Sequence, residues 1–181
     1  MARTPAKITP QYLENAALHY LERFASSTAN LRRVLMRKAD RSLRHWGGDR
    51  AEVAAQVEAV VARLAGLGYL DDAAYAAMKA RGLNRQGKGT RVIRQALAAK
   101  GVDADTADTA LDRLAEEVAD PDLAAAVRLA RKRRLGPFRA VALRAEMRQK
   151  DLATLARAGF DLDTARRVVE AACPEDLEEP G

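Results

Sequence analysis

An all-α fold is what this sequence predicts, and three observations carry the prediction. Hydrophobic residues make up 48% of the 181 positions while aromatics reach only 4%. Alanine and leucine are the least costly residues in a helix, whereas strands favour branched and aromatic side chains. Apolar positions recur at helical spacing almost throughout, and no stretch of useful length alternates with period two.

The stripes run in order along the chain. Leu13, Ala16, Ala17, Tyr20, Leu21 and Phe24 share one helix face, and Leu31, Val34 and Leu35 begin a second helix. Val53, Val57, Val60, Val61 and Leu64 form a third. Further stripes span Tyr75 to Leu83, Val92 to Leu97, Ala107 to Val118, Leu123 to Ala130, Val141 to Leu155, and Leu162 to Ala172. The breaks have their own chemistry. Gly66 and Gly68 can close a helix in the left-handed conformation. Asp120 before Pro121 reads as an N-cap with proline at the first helical position. Thr90 is a candidate cap after "GKG", and Asp103 or Asp105 for the helix that follows.

The sequence repeats itself. "GVDADTA" from Gly101 and "GFDLDTA" from Gly159 agree at five of seven positions, offset by 58, and Leu97 matches Leu155 at the same offset. Leu31, Leu35 and Lys38 match Ile93, Leu97 and Lys100 at an offset of 62. Three tandem three-helix repeats follow, at 11–66, 67–118 and 119–173, between a disordered N-terminus (1–10) and an acidic C-terminal tail (174–181). Units this small hide an apolar face poorly alone, so they are expected to stack into an elongated, curved array.

Enzyme chemistry finds little support. "GLNRQGKGT" approaches a phosphate-binding P-loop, but Gly89 stands where the magnesium-ligating Ser or Thr belongs, and a helix rather than a strand precedes it. Lys88 remains a candidate phosphate or carboxylate contact ahead of a helix N-terminus. His19, read as partly buried, and His45, read as surface, have no acid or cysteine at triad or ligand spacing. Cys173 is the only cysteine, which leaves no intrachain disulfide and no thiolate zinc cluster. No catalytic residue, metal or cofactor is expected. The N-terminus lacks the run of about 7–15 apolar residues of a secretory signal. No stretch reaches the roughly 18 apolar residues of a membrane span. A cytoplasmic protein with no membrane partner is the expectation.

The chain carries 31 bases against 25 acids, and the bases cluster. Arg81, Arg85, Lys88, Arg91, Arg94 and Lys100 occur with no acid among them. "RLARKRR" supplies Arg128, Arg131, Lys132, Arg133 and Arg134, and Arg32 to Arg44 holds six bases against Asp40. Arg32 and Arg94 fall at equivalent repeat positions. Such clusters can be solvated helix faces or, in register, one electrostatic binding surface. The candidate partner-binding set is Arg32, Arg33, Arg81, Arg85, Lys88, Arg91, Arg94, Arg131, Lys132, Arg133 and Arg134. Phosphate neutralisation would give affinity without sequence readout. No aromatic lies between Ala76 and Pro137, so base stacking is not expected there, and an acidic protein face is an equal candidate partner.

The stretch "LGYLDDAAYA" (Leu67 to Ala76), followed by "GKGTRVIRQALAAKGVD" (Gly87 to Asp103), resembles the RecX regulatory proteins. "ALHYLERFASSTANLRRVLMRK" (Ala17 to Lys38) and "LARAGFDLDTARRVVE" (Leu155 to Glu170) extend the resemblance to about residues 11–173. It implies three tandem three-helix repeats and a non-enzymatic monomer. Its partner would be the RecA nucleoprotein filament, with weak, sequence-independent DNA contact. The outcome would be modulation, usually inhibition, of RecA in DNA repair, recombination and the SOS response. The chain departs from the family at "RKADRSLRHWGGDRAEV", where Ala39 replaces a glycine and residues are added through Gly48; Trp46 there is read as a packing residue of the extended helix, with a partner hot spot as the alternative. A rival from another class is a basic nucleic-acid-binding protein or transcription regulator with helix-turn-helix-like units. Within "YLDD", Asp71 is the expected N-cap, with Asp72 at the first helical position, where the dipole favours an acid. Leu70 and Tyr75 have the spacing of a hydrophobic staple. Gly68, Leu70, Asp71 and Tyr75 thus read as a structural joint rather than a metal site.

Overall fold

Side-chain caps decide where the helices begin. In the computed structural model, which describes residues 4–177, nine α-helices and no strand occur among the described residues. They are α1 (Pro10–Leu21), α2 (Thr28–Trp46), α3 (Arg50–Gly66), α4 (Asp72–Arg85), α5 (Thr90–Ala99), α6 (Ala104–Glu117), α7 (Pro121–Arg133), α8 (Val141–Arg157) and α9 (Leu162–Val169). Thr9, Ser27, Asp49, Asp103, Asp120 and Asp161 each accept a first-turn backbone N–H at α1, α2, α3, α6, α7 and α9. Each satisfies a donor that the helix itself leaves unpaired.

Contacts divide the chain into two compact units. One runs through Tyr75 and also takes in Lys100–Val102; the other comprises Ala76–Ala99 and the chain from Asp103. In the first, α1, α2 and α3 pack around Leu13, Ala17, Leu31, Leu35, Val57, Val61 and Leu64, with Leu70 closing the cluster. In the second, α7, α8 and α9 enclose Leu123, Ala126, Leu129, Leu155, Phe160 and Val168. Ile93 and Leu97 of α5 are fully buried, and α5 packs on α6. Each buried leucine contributes about 1.5–3 kcal/mol relative to exposure. The boundary between the units falls inside α4.

A recurring joint accounts for that boundary. The amide and hydroxyl of Thr28, the first residue of α2, donate to Asp72 Oδ1 at 2.7 and 3.1 Å. The Ser27 hydroxyl donates to the Lys100 carbonyl. Sixty-two residues on, Thr90 opens α5 in the same way. Its amide donates to Asp122 Oδ1 at 2.7 Å and its hydroxyl to Oδ2 at 2.9 Å, while Gly89 N–H donates to the Ala158 carbonyl at 2.9 Å. The glycines just beyond α5 and α8 let the backbones approach. A Cβ on Gly101 would lie 2.4 Å from Ala29 Cβ, and one on Gly159 would lie 2.7 Å from Val92 Cγ2. Both have positive φ, 77° and 102°, which glycine alone adopts without strain.

Several expectations need correction. Thr90 does not cap α5 with its own side chain; it is the first helical residue, and Asp122 supplies the acceptor. Gly66 is the last residue of α3, and the left-handed turn is at Gly68. Phe24 lies past the end of α1 and is 56% exposed, packed on the Tyr20 ring rather than in the core. Val141, Leu143 and Leu162 are exposed because they sit in first turns of α8 and α9 that reach beyond the core. His19 is exposed, 3.7 Å from Glu22, not partly buried. Trp46 is more exposed than a packing residue, at 53%. Of the expected N-terminal disorder, residues 1–3 lie outside the described residues; Thr9 caps α1, and the Pro5 carbonyl accepts from Trp46 Nε1 at 2.8 Å. Of the expected acidic tail, 178–181 lie outside them, and Pro174–Leu177 forms a 3-10 turn with Leu177 buried in the core of the second unit.

A candidate partner-binding surface

The expected joint is assembled from local hydrogen bonds. Gly68 turns the chain at φ 79°, Leu70 is buried, and Asp71 Oδ1 accepts Ala74 N–H at 2.8 Å. Tyr75 is buried, and its phenol is pushed above its usual range, chiefly by burial and then by the neighbouring Tyr20 and Asp72. Both carboxylates of "YLDD" therefore serve helix N-termini, Asp71 that of α4 and Asp72 that of α2. The near-P-loop has also spent its donors. Gly87, Lys88 and Gly89 amides bond to Asn84, Leu83 and Ala158 carbonyls, at 2.9, 3.1 and 2.9 Å. No backbone cradle for a phosphate remains in that loop.

The structure sorts the eleven candidate bases into two groups. The equivalent residues Arg32 and Arg94 each brace the next helix of their own triplet. Arg32 Nε meets Glu58 Oε1 at 2.5 Å, and Arg94 grips Asp108 Oδ1 through Nη2 and Nε at 2.7 and 2.8 Å. Arg81 meets Glu117 at 2.6 Å, and Arg91 Nη2 donates to the Ala156 carbonyl at 3.1 Å. Pairs this exposed add only about 0–1 kcal/mol to stability, yet the three carboxylates offset the charge of Arg32, Arg94 and Arg81 that a partner would read. The Arg131 guanidinium lies 5.5 Å over the Phe138 ring, within cation–π range. Arg33 is an exposed residue of α2.

Arg85, Lys88, Lys132, Arg133 and Arg134 have no acidic partner among the described residues. Lys132 and Arg133 end α7, where bases complement the helix dipole. Arg134 caps that helix at φ 54°, the one positive-φ residue other than glycine among those described. Lys88 and Arg133 converge with Arg157, the last residue of α8, on a cavity of about 140 Å³ with Leu129, Ala158 and Thr154 in its walls. Its polar lining is cationic apart from one hydroxyl, which suits an anionic group. Sequence clustering missed Arg157, because its neighbours in the chain are apolar and only the fold brings it to Lys88.

Arg128, named with the basic cluster, and Asp151, which the sequence does not single out, are both tied into the scaffold. Arg128 donates to Asn84 Oδ1 at 2.6 Å, and burial holds its guanidinium below the usual range. Asn84 in turn donates to the Pro121 carbonyl at 2.8 Å, so Arg128 belongs to the scaffold. Asp151, 2% exposed, accepts Gly136 N–H and Arg139 Nη2, each at 2.9 Å.

Helix triplets with side-chain caps and a partly unpaired basic surface define an all-α helical-repeat protein. Comparison places that architecture. A family profile described as "RecX, second three-helix domain" matches residues 71–111, within the second repeat. The chain is 49% identical over 170 residues to the Regulatory protein RecX of Myxococcus xanthus (strain DK1622), covering 93% of this chain and 90% of that one. It is 35% identical over 164 residues to the Regulatory protein RecX of Agrobacterium fabrum (strain C58 / ATCC 33970), covering 91% and 85%. The fold matches the crystal structure of RecX from Lactobacillus salivarius with a TM-score of 0.62 at 23% identity, over 90% of this chain and 96% of that one. A second structure of regulatory protein RecX gives 0.60 at 22%, over 90% and 72%. The chain belongs to the RecX family of regulatory proteins.

Proposed function

We propose that this protein binds the RecA nucleoprotein filament as a monomer and modulates, in the inhibitory direction, its recombinase and ATPase activities. Family membership and the relatives' description as regulatory proteins support a binding role rather than catalysis. The observation that carries the reading to particular residues is the acid-free basic group Arg85, Lys88, Lys132, Arg133 and Arg134, with Lys88, Arg133 and Arg157 around one anion-sized cavity. A filament presents acidic protein surface beside phosphates, and both would engage these cations without sequence readout. The site of action would be the cytoplasm, during DNA repair and recombination under the SOS response.

The test is a RecA ATPase and strand-exchange assay on single-stranded DNA with the purified protein. Stoichiometric protein is expected to slow both reactions, and Lys88→Glu with Arg133→Glu to abolish the effect at unchanged helicity. Full activity of that double variant removes the cavity from the mechanism. No effect of the native protein on RecA, together with tight duplex binding of its own, overturns the reading in favour of a transcription regulator.

A further inference from the structure

The helix α2 outruns its counterpart. Thr28 and Thr90 are equivalent starts, yet α2 continues for 19 residues and α5 for 10. Residues 38–46 are therefore an overhang with no equivalent at the end of α5. Its inner side is anchored by the buried Ala39 and Ser42. Its outer side carries Arg41 and Arg44, in line with Arg37 just before it at i, i+4 and i+7, beside Lys38. The one nearby acid, Asp40, is held by Arg50 Nε at 3.0 Å, and these four bases have no acidic partner among the described residues.

Two clefts flank the stripe. One of about 420 Å³ is lined by Arg37, Asp40, Arg41 and Arg44. The other, of about 480 Å³, lies between α2 and the N-terminal segment and is lined by Thr4, Pro5, Ala6, Tyr12, Lys38 and Arg41. Arg41 belongs to both, so the two form one continuous basic track with an aromatic, Tyr12, in its wall. Trp46, 53% exposed, follows Ser42 by four residues on the inner side of the helix and meets the second cleft through Pro5. Its ring is fixed on one edge by the 2.8 Å hydrogen bond to Pro5 and set edge-on to His45, with centroids 4.7 Å apart. A large indole held in place yet half in water, joined through Pro5 to the cleft of Lys38 and Arg41, supplies the second of the two elements of a single-strand site: charges for the backbone and a ring for a base.

We propose that the α2 overhang is a binding site for single-stranded nucleic acid. Arg37, Lys38, Arg41 and Arg44 neutralise consecutive phosphates, and Trp46 stacks on a base. This deepens the nucleic-acid part of the filament reading by giving it a location outside the cavity of Lys88 and Arg133. A duplex keeps its bases stacked inside and offers the indole no free face, so the geometry favours the single strand. An acidic protein surface would use the cations but leave the ring without a role.

Trp46 is the only tryptophan, so its fluorescence reports directly on the site. The full-length protein is titrated with a short oligothymidylate, with a duplex of equal length and with inorganic polyphosphate. Saturable quenching by the oligothymidylate is expected. The log–log salt slope should approach roughly −3 if four phosphates are engaged, at about −0.7 per phosphate for a single strand. Arg37→Gln with Arg41→Gln and Arg44→Gln should flatten that slope by about 2 and leave the helical circular dichroism unchanged. Trp46→Leu, followed by anisotropy of a labelled oligonucleotide, should weaken binding roughly tenfold. Absent quenching at saturation, equal quenching by polyphosphate, stronger binding of the duplex, or a triple variant that binds like the native protein each overturns the inference. A protein that quenches as expected but leaves RecA turnover untouched keeps this site and loses the filament reading instead.

Discussion

Removing one carboxylate should unfasten the recurring joint. Asp122 accepts two hydrogen bonds from Thr90, one on each oxygen, at 2.7 Å from the amide and 2.9 Å from the hydroxyl. The amide opens α5 and has no acceptor of its own helix. Asp122→Ala deletes a charge-assisted cap and strands that donor at a half-buried site. Caps are worth about 0.5–2 kcal/mol and hydrogen bonds to charged groups about 1.5–3 kcal/mol. Because the two estimates describe overlapping interactions, the expected loss is about 2–3 kcal/mol. Asp122→Asn keeps an acceptor oxygen and should lose about 1 kcal/mol or less, the difference between Asp and Asn caps being small. Asp72→Ala should match Asp122→Ala within about 1 kcal/mol, since Thr28 donates the same two groups to it. Urea unfolding followed by circular dichroism at 222 nm measures all three. For a chain of this size 2–3 kcal/mol lowers Tm by about 4–12 °C. A loss near zero for both alanine variants, or no difference between Asp122→Asn and Asp122→Ala, refutes the equivalence of the two joints.

Two further predictions rest on single carboxylates. Asp151→Ala leaves Arg139, largely buried, without its partner and the Gly136 amide unsatisfied; breaking such a pair costs about 3–5 kcal/mol, to be read from the denaturant midpoint. Asp103 and Asp161, equivalent caps of α6 and α9, are both held below the ordinary value of 3.8, first by the backbone N–H of Thr106 and Thr164 and then by their hydroxyls. A carboxyl lowered in the folded state stabilises it fully above the unfolded value and loses that contribution as pH falls through the folded one. The stability gap between native protein and Asp161→Asn should therefore be constant above about pH 5 and close below pH 3.8; a gap that widens on acidification contradicts the cap assignment.

Local chemistry was legible in the linear chain because its partners lie three residues apart. Asp103 and Asp120 cap their own helices, and Asp71 does the same in "YLDD". The apolar period marked each helix, and the offsets of 58 and 62 marked the triplets. Asp72 was misjudged by half: its place in the first turn was visible, but its acceptor role is toward Thr28, 44 residues earlier. Thr90 was misread for the same reason, its cap being 32 residues later.

The charge pattern shows the same division. Counting bases located the clusters but could not tell a brace from an open cation. Arg32 and Arg94 look like the best-placed surface residues by repeat position, and the fold ties both to acids on the following helix. Arg157 looks isolated, and the fold sets it beside Lys88 and Arg133. The sequence by itself determined the helices, the caps that lie within a turn of their own helix, and the family, because all of these depend on residue type at short or periodic spacing. Only the tertiary structure decided which charges remain available, because a charge is cancelled by whatever lies within a few ångströms of it, and that neighbour can come from anywhere in the chain.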